Sequence, residues 1–203
     1  MQLLIDLVRA VKGLSRLFRF DASYVGYFDK SITGTWRSFF AMMLVAPIVA
    51  LNLPDNLSET YPNASEFRFL VVRYLIYIIG WFAVPVVVLE IGRWLKRSEV
   101  MPSFITVYNW FQLIHLPFAI AVWAAFEGGL DAIGGLIALI GLAVYFVYLF
   151  YISRSFLRLE NHTAALFVIT DLAIMGYLNK AMGQIHGLAN HRVSHAMLAA
   201  YMP

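Results

Sequence analysis

The chain contains no cysteine, which excludes disulfides, thiolate metal sites and a cysteine nucleophile. Charge is scarce as well. Only 13% of the 203 residues are Asp, Glu, Lys or Arg, while 61% are hydrophobic; a soluble domain carries roughly 25% and about 45–50%. Too little polar surface remains to cover a fold in water. Sequence signatures of catalysts are also missing: there is no HExxH, GxSxG, Walker loop or Rossmann glycine fingerprint. Thr106 and Thr170 lie in apolar blocks with no base adjacent in sequence. His191 and His195 stand four residues apart, as a helical metal pair would, but no carboxylate in the tail completes a site. The expectation is a non-enzymatic protein with no cofactor and no metal. A net charge of +3 does not make it a nucleic-acid binder, because its basic residues hug the ends of the apolar blocks.

Those blocks predict an all-α integral membrane bundle of five transmembrane helices in a single membrane domain, residues 1–203. The spans fall at about 33–53, 67–90, 104–126, 133–152 and 163–178, with 179–203 an outer tail. Most approach the ~20 residues that cross a ~30 Å hydrocarbon core. Lys and Arg set the orientation. Arg9, Lys12, Arg16, Arg19, Lys30, Arg37, Arg93, Lys96, Arg97, Arg154 and Arg158 collect on one side, leaving Arg68, Arg73, Lys180 and Arg192 on the other. The positive-inside rule then puts the N-terminus in the cytoplasm and, after five spans, the C-terminus outside. Compact loops suit a bacterial inner-membrane protein.

Residues 1–20 are too polar to span. Arg9, Lys12, Arg16 and Arg19 stack on one helical face, and Leu3, Leu7, Ala10, Val11, Leu14 and Phe18 fall on another. This predicts an N-terminal amphipathic interfacial helix with its basic face toward the anionic lipid of the cytoplasmic leaflet. A cytoplasmic helix packed on the spans is the alternative. Ile5 and Val8 on the polar side weigh toward it.

The third span raises the sharper question. Tyr108, Gln112 and His115 lie within about 60° of one another on a helix, with Asn109 beside them, in a stretch where lipid offers no partner. They have to face other helices or a wet cavity. Pro117 cannot donate to the carbonyl of Leu113 and should kink the helix; Pro47 and Pro85 stand likewise in the first and second spans. The fifth span carries Asp171 near its middle, a residue that costs roughly 2.5–3.5 kcal/mol to insert there. Counting about 1.5 Å per residue sets Asp171, Gln112 and His115 at similar depth, with Arg73 further out. Arg73, Tyr108, Asn109, Gln112, His115 and Asp171 are therefore one candidate midplane network. It is either a polar clamp that fixes packing or a site that handles a proton or substrate. In the fourth span Gly134, Ala138 and Gly141 share a face and form a candidate helix-packing seam, continued by Tyr145 and Tyr148.

The lead-in to the first span, "YFDKSITGTWRSFF", carries Asp29, Gly34 and Trp36 ahead of the apolar block. With five spans and an external C-terminus, it resembles the Yip1-like membrane proteins. That resemblance implies a non-enzymatic role in membrane organisation. The leading expectation is a scaffold or partner-binding subunit that touches membrane lipids and a second copy or another membrane protein. The rival is a small transporter or channel using the midplane site.

Overall fold

The computed structural model describes the backbone of residues 1–51 and 66–201, and the side chains within those limits except at 49–51, 66, 179, 182–183 and 185–201. The described chain is all-α. Helix α1 (Gln2–Leu17) leads through a 3₁₀ turn (Ala22–Tyr27) to α2 (Ile32–Ser38) and α3 (Phe40–Leu51). Then follow α4 (Glu66–Trp94), α5 (Met101–Phe111), a 3₁₀ turn (Gln112–Ile114), α6 (His115–Glu127), α7 (Asp131–Leu157) and α8 (Asn161–Tyr201).

Among the described residues, three runs are long and apolar enough to cross a membrane: Phe67–Trp94, Ser98–Glu127 and Asp131–Leu157. Ile32–Ile48 is apolar but shorter. The run expected at 163–178 is part of a longer helix, because α8 continues to Tyr201 through the segment expected as a tail. No proline interrupts that stretch.

The three long runs are not equivalent. Half of the most apolar window of Ser98–Glu127 is buried in the protein, against 22% in Phe67–Trp94 and 17% in Asp131–Leu157. Every residue from Phe104 to Gln112 is buried, so α5 is the central helix. The outer helices instead expose large apolar side chains, among them Leu75, Ile79, Val86, Leu139, Val147 and Ile169. An apolar exterior around a partly polar centre is the arrangement a bilayer favours. The polar stripe of the third run is tolerable because it lies on the helix with neighbours all around it.

Proline shapes that centre. The helix tightens into the 3₁₀ turn Gln112–Ile114 just before Pro117, whose missing N–H leaves the Leu113 carbonyl without its helical donor. Pro47 and Pro85 stand inside helices that run on through them.

Helix α1 is docked on the bundle by Asp6, Ala10, Gly13, Leu14 and Leu17. Arg9, Lys12, Arg16 and Arg19 remain exposed on a second face. A third face leaves Leu4, Val11 and Phe18 uncovered. The helix thus packs on the bundle while keeping both an apolar ridge and a basic face outward. The two expectations for it were not exclusive.

Candidate functional site: a buried carboxylate beside an interhelical cavity

Asp171 is 1% exposed and faces the bundle from α8. Its Oδ1 accepts a hydrogen bond from the Tyr108 hydroxyl at 2.6 Å, and its Oδ2 accepts one from the Tyr145 hydroxyl at 3.0 Å. The two hydroxyl oxygens lie 3.4 Å apart. Gln112 Nε2 donates to the Tyr145 hydroxyl at 3.4 Å, and Gln112 Oε1 lies 3.0 Å from His115 Nε2. A carbonyl oxygen only accepts, so His115 donates from Nε2 and keeps Nδ1 as an acceptor. The imidazole also rests on the Tyr145 ring, centroids 4.8 Å apart. The 3₁₀ turn helps here, because it sets Gln112 and His115 three residues apart on a shared side.

Four of the six candidate network residues therefore meet: Tyr108, Gln112, His115 and Asp171. Asn109 does not join them. Its Nδ2 donates to Ser38 Oγ at 2.9 Å, tying α5 to α2 beside the Thr35–Thr106 hydroxyl pair at 3.0 Å. The Asn109 Oδ1 atom is buried with no hydrogen-bond partner. Arg73 does not join either; it is half-buried on α4, one turn N-terminal to Tyr77. Among the described residues, no cation takes part in the network. Tyr145 is the member that sequence reasoning missed, having placed it on a packing face. Depth alone could have found it, since it sits about as far from the end of its span as Asp171 does.

A cavity of about 300 Å³ adjoins the network, lined by Tyr108, Gln112, His115 and Asp171. Its walls include Val45 of α3, Tyr77, Gly80 and Trp81 of α4, and Ile174, Met175 and Leu178 of α8. From Asp171 to Leu178 it climbs about 10 Å along α8 at 1.5 Å per residue. The volume lies at the lower end of the roughly 300–1,000 Å³ usual for small-molecule sites. Tyr77 is turned away from it at its hydroxyl, which donates to the Met42 carbonyl at 2.6 Å. The tyrosine ring and the Trp81 indole supply apolar surface.

The other candidate residues are placed as follows. Gly134 and Gly141 lie under Phe126 and Phe118 of α6, where an added Cβ would come within 3.0 and 2.9 Å of the rings. Ala138 between them is exposed. The seam is thus used within the chain, by the preceding helix. Asp29, Gly34 and Trp36 are also explained locally. A Cβ on Gly34 would stand 2.5 Å from Asp29 Cγ and 2.8 Å from the Asp29 carbonyl oxygen, so only glycine fits. Asp29 accepts from the Ser31 backbone N–H at 2.9 Å and from Arg37 at 2.6 Å. Arg37 Nε reaches Asp6 of α1, also at 2.6 Å. Trp36 is 67% exposed, at a helix start where an indole suits the lipid–water boundary. His191 and His195 lie outside the described side chains; among the described residues no group of three His, Asp or Glu is arranged to hold a metal.

No family model, curated protein or solved structure matches the chain.

Proposed function

We propose that this is a five-span, non-enzymatic protein of the bacterial inner membrane, with a cytoplasmic N-terminus, that binds and carries a small solute at an intramembrane site. One observation carries this reading: the Asp171 carboxylate adjoins a cavity and, among the described residues, is bonded only by neutral donors. Taking an ion out of water costs several kcal/mol even after relaxation. The two phenol bonds offset part of that cost, at roughly 1.5–3 kcal/mol each for a charged acceptor. A clamp that only fixed packing would gain as much from uncharged partners. Intramembrane ionisable groups facing a cavity are typical of substrate and proton pathways. On this reading α2 and α3 together form the first span, and α8 supplies the fifth.

The absence of native cysteine offers a direct test. Met175→Cys sets one thiol in the cavity wall. In sealed vesicles, a membrane-impermeant maleimide should modify it from the side toward which the cavity climbs, the outer face. Exposed Trp36→Cys at the opposite boundary should react only from the inner face. A Met175→Cys thiol that reacts from neither side would sink the carrier reading.

A specific set of contacts also favours the scaffold reading. The Arg37 bridge holds α1 so that its apolar ridge and its basic face both remain outward, as a membrane-organising surface requires. The Yip1-like resemblance points the same way, and the Asp29–Gly34 contact gives its short motif a structural reason. Binding of α1 to anionic lipid is compatible with a carrier, so the two roles differ only in what the cavity does.

A further inference from the structure

The chemistry of the cavity floor narrows the class of solute, and this inference rests on the carrier reading above. Both tyrosine hydroxyls spend their protons on Asp171. Each carboxylate oxygen still has lone-pair capacity after one such bond. Gln112 Oε1 has a second lone pair, and His115 presents Nδ1 as an acceptor. The remaining donor in this group is the second N–H of the Gln112 amide. A ligand in the cavity therefore meets acceptors and a negative charge at one end. Along the side it meets Tyr77 and Trp81, whose rings attract a cation by their quadrupole as well as covering apolar surface. Arg73, the nearest basic residue outward on α4, does not line the cavity, and its long stem lets the head lie further out.

We infer that the cavity takes a small primary or secondary organic ammonium ion, its N–H groups on Asp171 and Gln112 and its apolar part between Tyr77, Trp81 and Met175. An anion is excluded from this floor because nothing there balances a second negative charge. A neutral alcohol fits the acceptors with one donor and leaves Asp171 uncompensated. The volume of about 300 Å³ admits a ligand on the order of ten non-hydrogen atoms, at about 30 Å³ for a water-sized group.

The test uses the full chain carrying Met175→Cys in phosphatidylcholine nanodiscs, whose zwitterionic lipid does not concentrate cations. The rate of thiol modification by N-ethylmaleimide is followed with three probes of matched size: phenethylammonium, 2-phenylethanol and 3-phenylpropanoate. Phenethylammonium should protect the thiol at a concentration at least about tenfold below that of 2-phenylethanol, a difference equal to about 1.4 kcal/mol. Phenylpropanoate should protect least. In the Asp171→Asn background the advantage of the ammonium over the alcohol should disappear, while protection by the alcohol persists.

The ammonium assignment fails, with the carrier reading intact, if the thiol is modified but phenylpropanoate or phenylethanol protects as well as the amine. It fails equally if no probe protects, or if the amine's advantage survives Asp171→Asn. Both fail together if the thiol is inert throughout. The three-probe comparison on Met175→Cys alone decides the question even if Asp171→Asn does not accumulate.

Discussion

Two acidic clusters in this molecule are built on opposite principles. Where α1 meets α2, Asp6 and Asp29 share the Arg37 guanidinium, both at 2.6 Å, near the protein's edge. In the bundle centre, Asp171 has two phenols and an amide–imidazole pair around it and, among the described residues, no cation bonded to it. The first arrangement neutralises charge through a planar fork whose two arms reach Asp6 on α1 and Asp29 in the segment before α2, a geometry lysine could not reproduce. It is complete in itself and serves to dock α1. The second surrounds a carboxylate with neutral groups beside a cavity. An acid that is fully answered within the chain is structural; on the proposed carrier reading, one that is answered only by neutral donors is available to a solute.

The largest effect that would break this contrast is expected at Asp171. Replacing it by Leu removes the acceptor of both the Tyr108 and the Tyr145 hydroxyl and leaves only their mutual contact and the Gln112 amide at 3.4 Å, so at least one buried hydroxyl proton loses its partner at a cost of roughly 1–3 kcal/mol. Asp171→Asn keeps the shape and can still accept one of the two phenol bonds, so its loss should be about half as large. Unfolding midpoints of the three proteins in one detergent would check this order. If Asp171→Leu were as stable as the parent, the phenol bonds would contribute nothing, and the centre would be a packing feature rather than a held charge.

Much of that centre was legible beforehand, for a physical reason. Lipid supplies no hydrogen-bond partners, so Tyr108, Gln112, His115 and Asp171 had to find one another or water. Depth along the helices left few ways to do so. The exceptions are informative. Asn109 lies beside the stripe but one turn of α5 aims it at Ser38, and only the placement of α2 decides that. Tyr145 was hidden by its aromatic neighbours, which read as packing. Arg73 was a candidate member of the network, yet a long basic side chain near a helix end has the cheaper option of reaching away from the core. The helical class and three of the five apolar runs were equally plain. The length of α8 was not, because its polar second half gives no lipid signal and no proline or turn marks a stop.

A smaller effect sharpens the outer half of the comparison. Gly34→Ala would drive a Cβ into Asp29 at its Cγ, its Cβ and its backbone carbonyl. The carbonyl belongs to the main chain and cannot rotate aside, so strain of about 1–3 kcal/mol is expected, as for overpacking elsewhere. The consequence should be local. Asp29 would lose its place on Arg37, and α1 should become susceptible to proteolysis at its basic face, while the Asp171 cavity and its Met175→Cys labelling stay unchanged. Loss of both together would mean that docking of α1 and the cavity are coupled.

The smallest effect concerns acid, and it separates the edge of the molecule from its centre by pH alone. Asp21 is held down to a pKa of about 2, chiefly by the Ser23 backbone N–H and then by the Ser23 side chain and Arg16. Asp29 is lowered as well, first by the Ser31 backbone N–H, with Arg37 contributing less. Both folded values lie below the usual carboxylate value of about 3.9, so the undocked chain binds more protons in the interval between. The stabilisation these groups give is therefore complete above pH ~4 and is lost as pH falls toward about 2. Nitroxides on Lys12→Cys and Arg154→Cys, both exposed, should report a constant separation between α1 and α7 from neutral pH to about 5 and a broadening distribution below about 4. Asp21→Asn and Asp29→Asn should each remove part of that acid response. A release of α1 between pH 5 and 7 would contradict the assignment, since neither carboxylate changes its charge there.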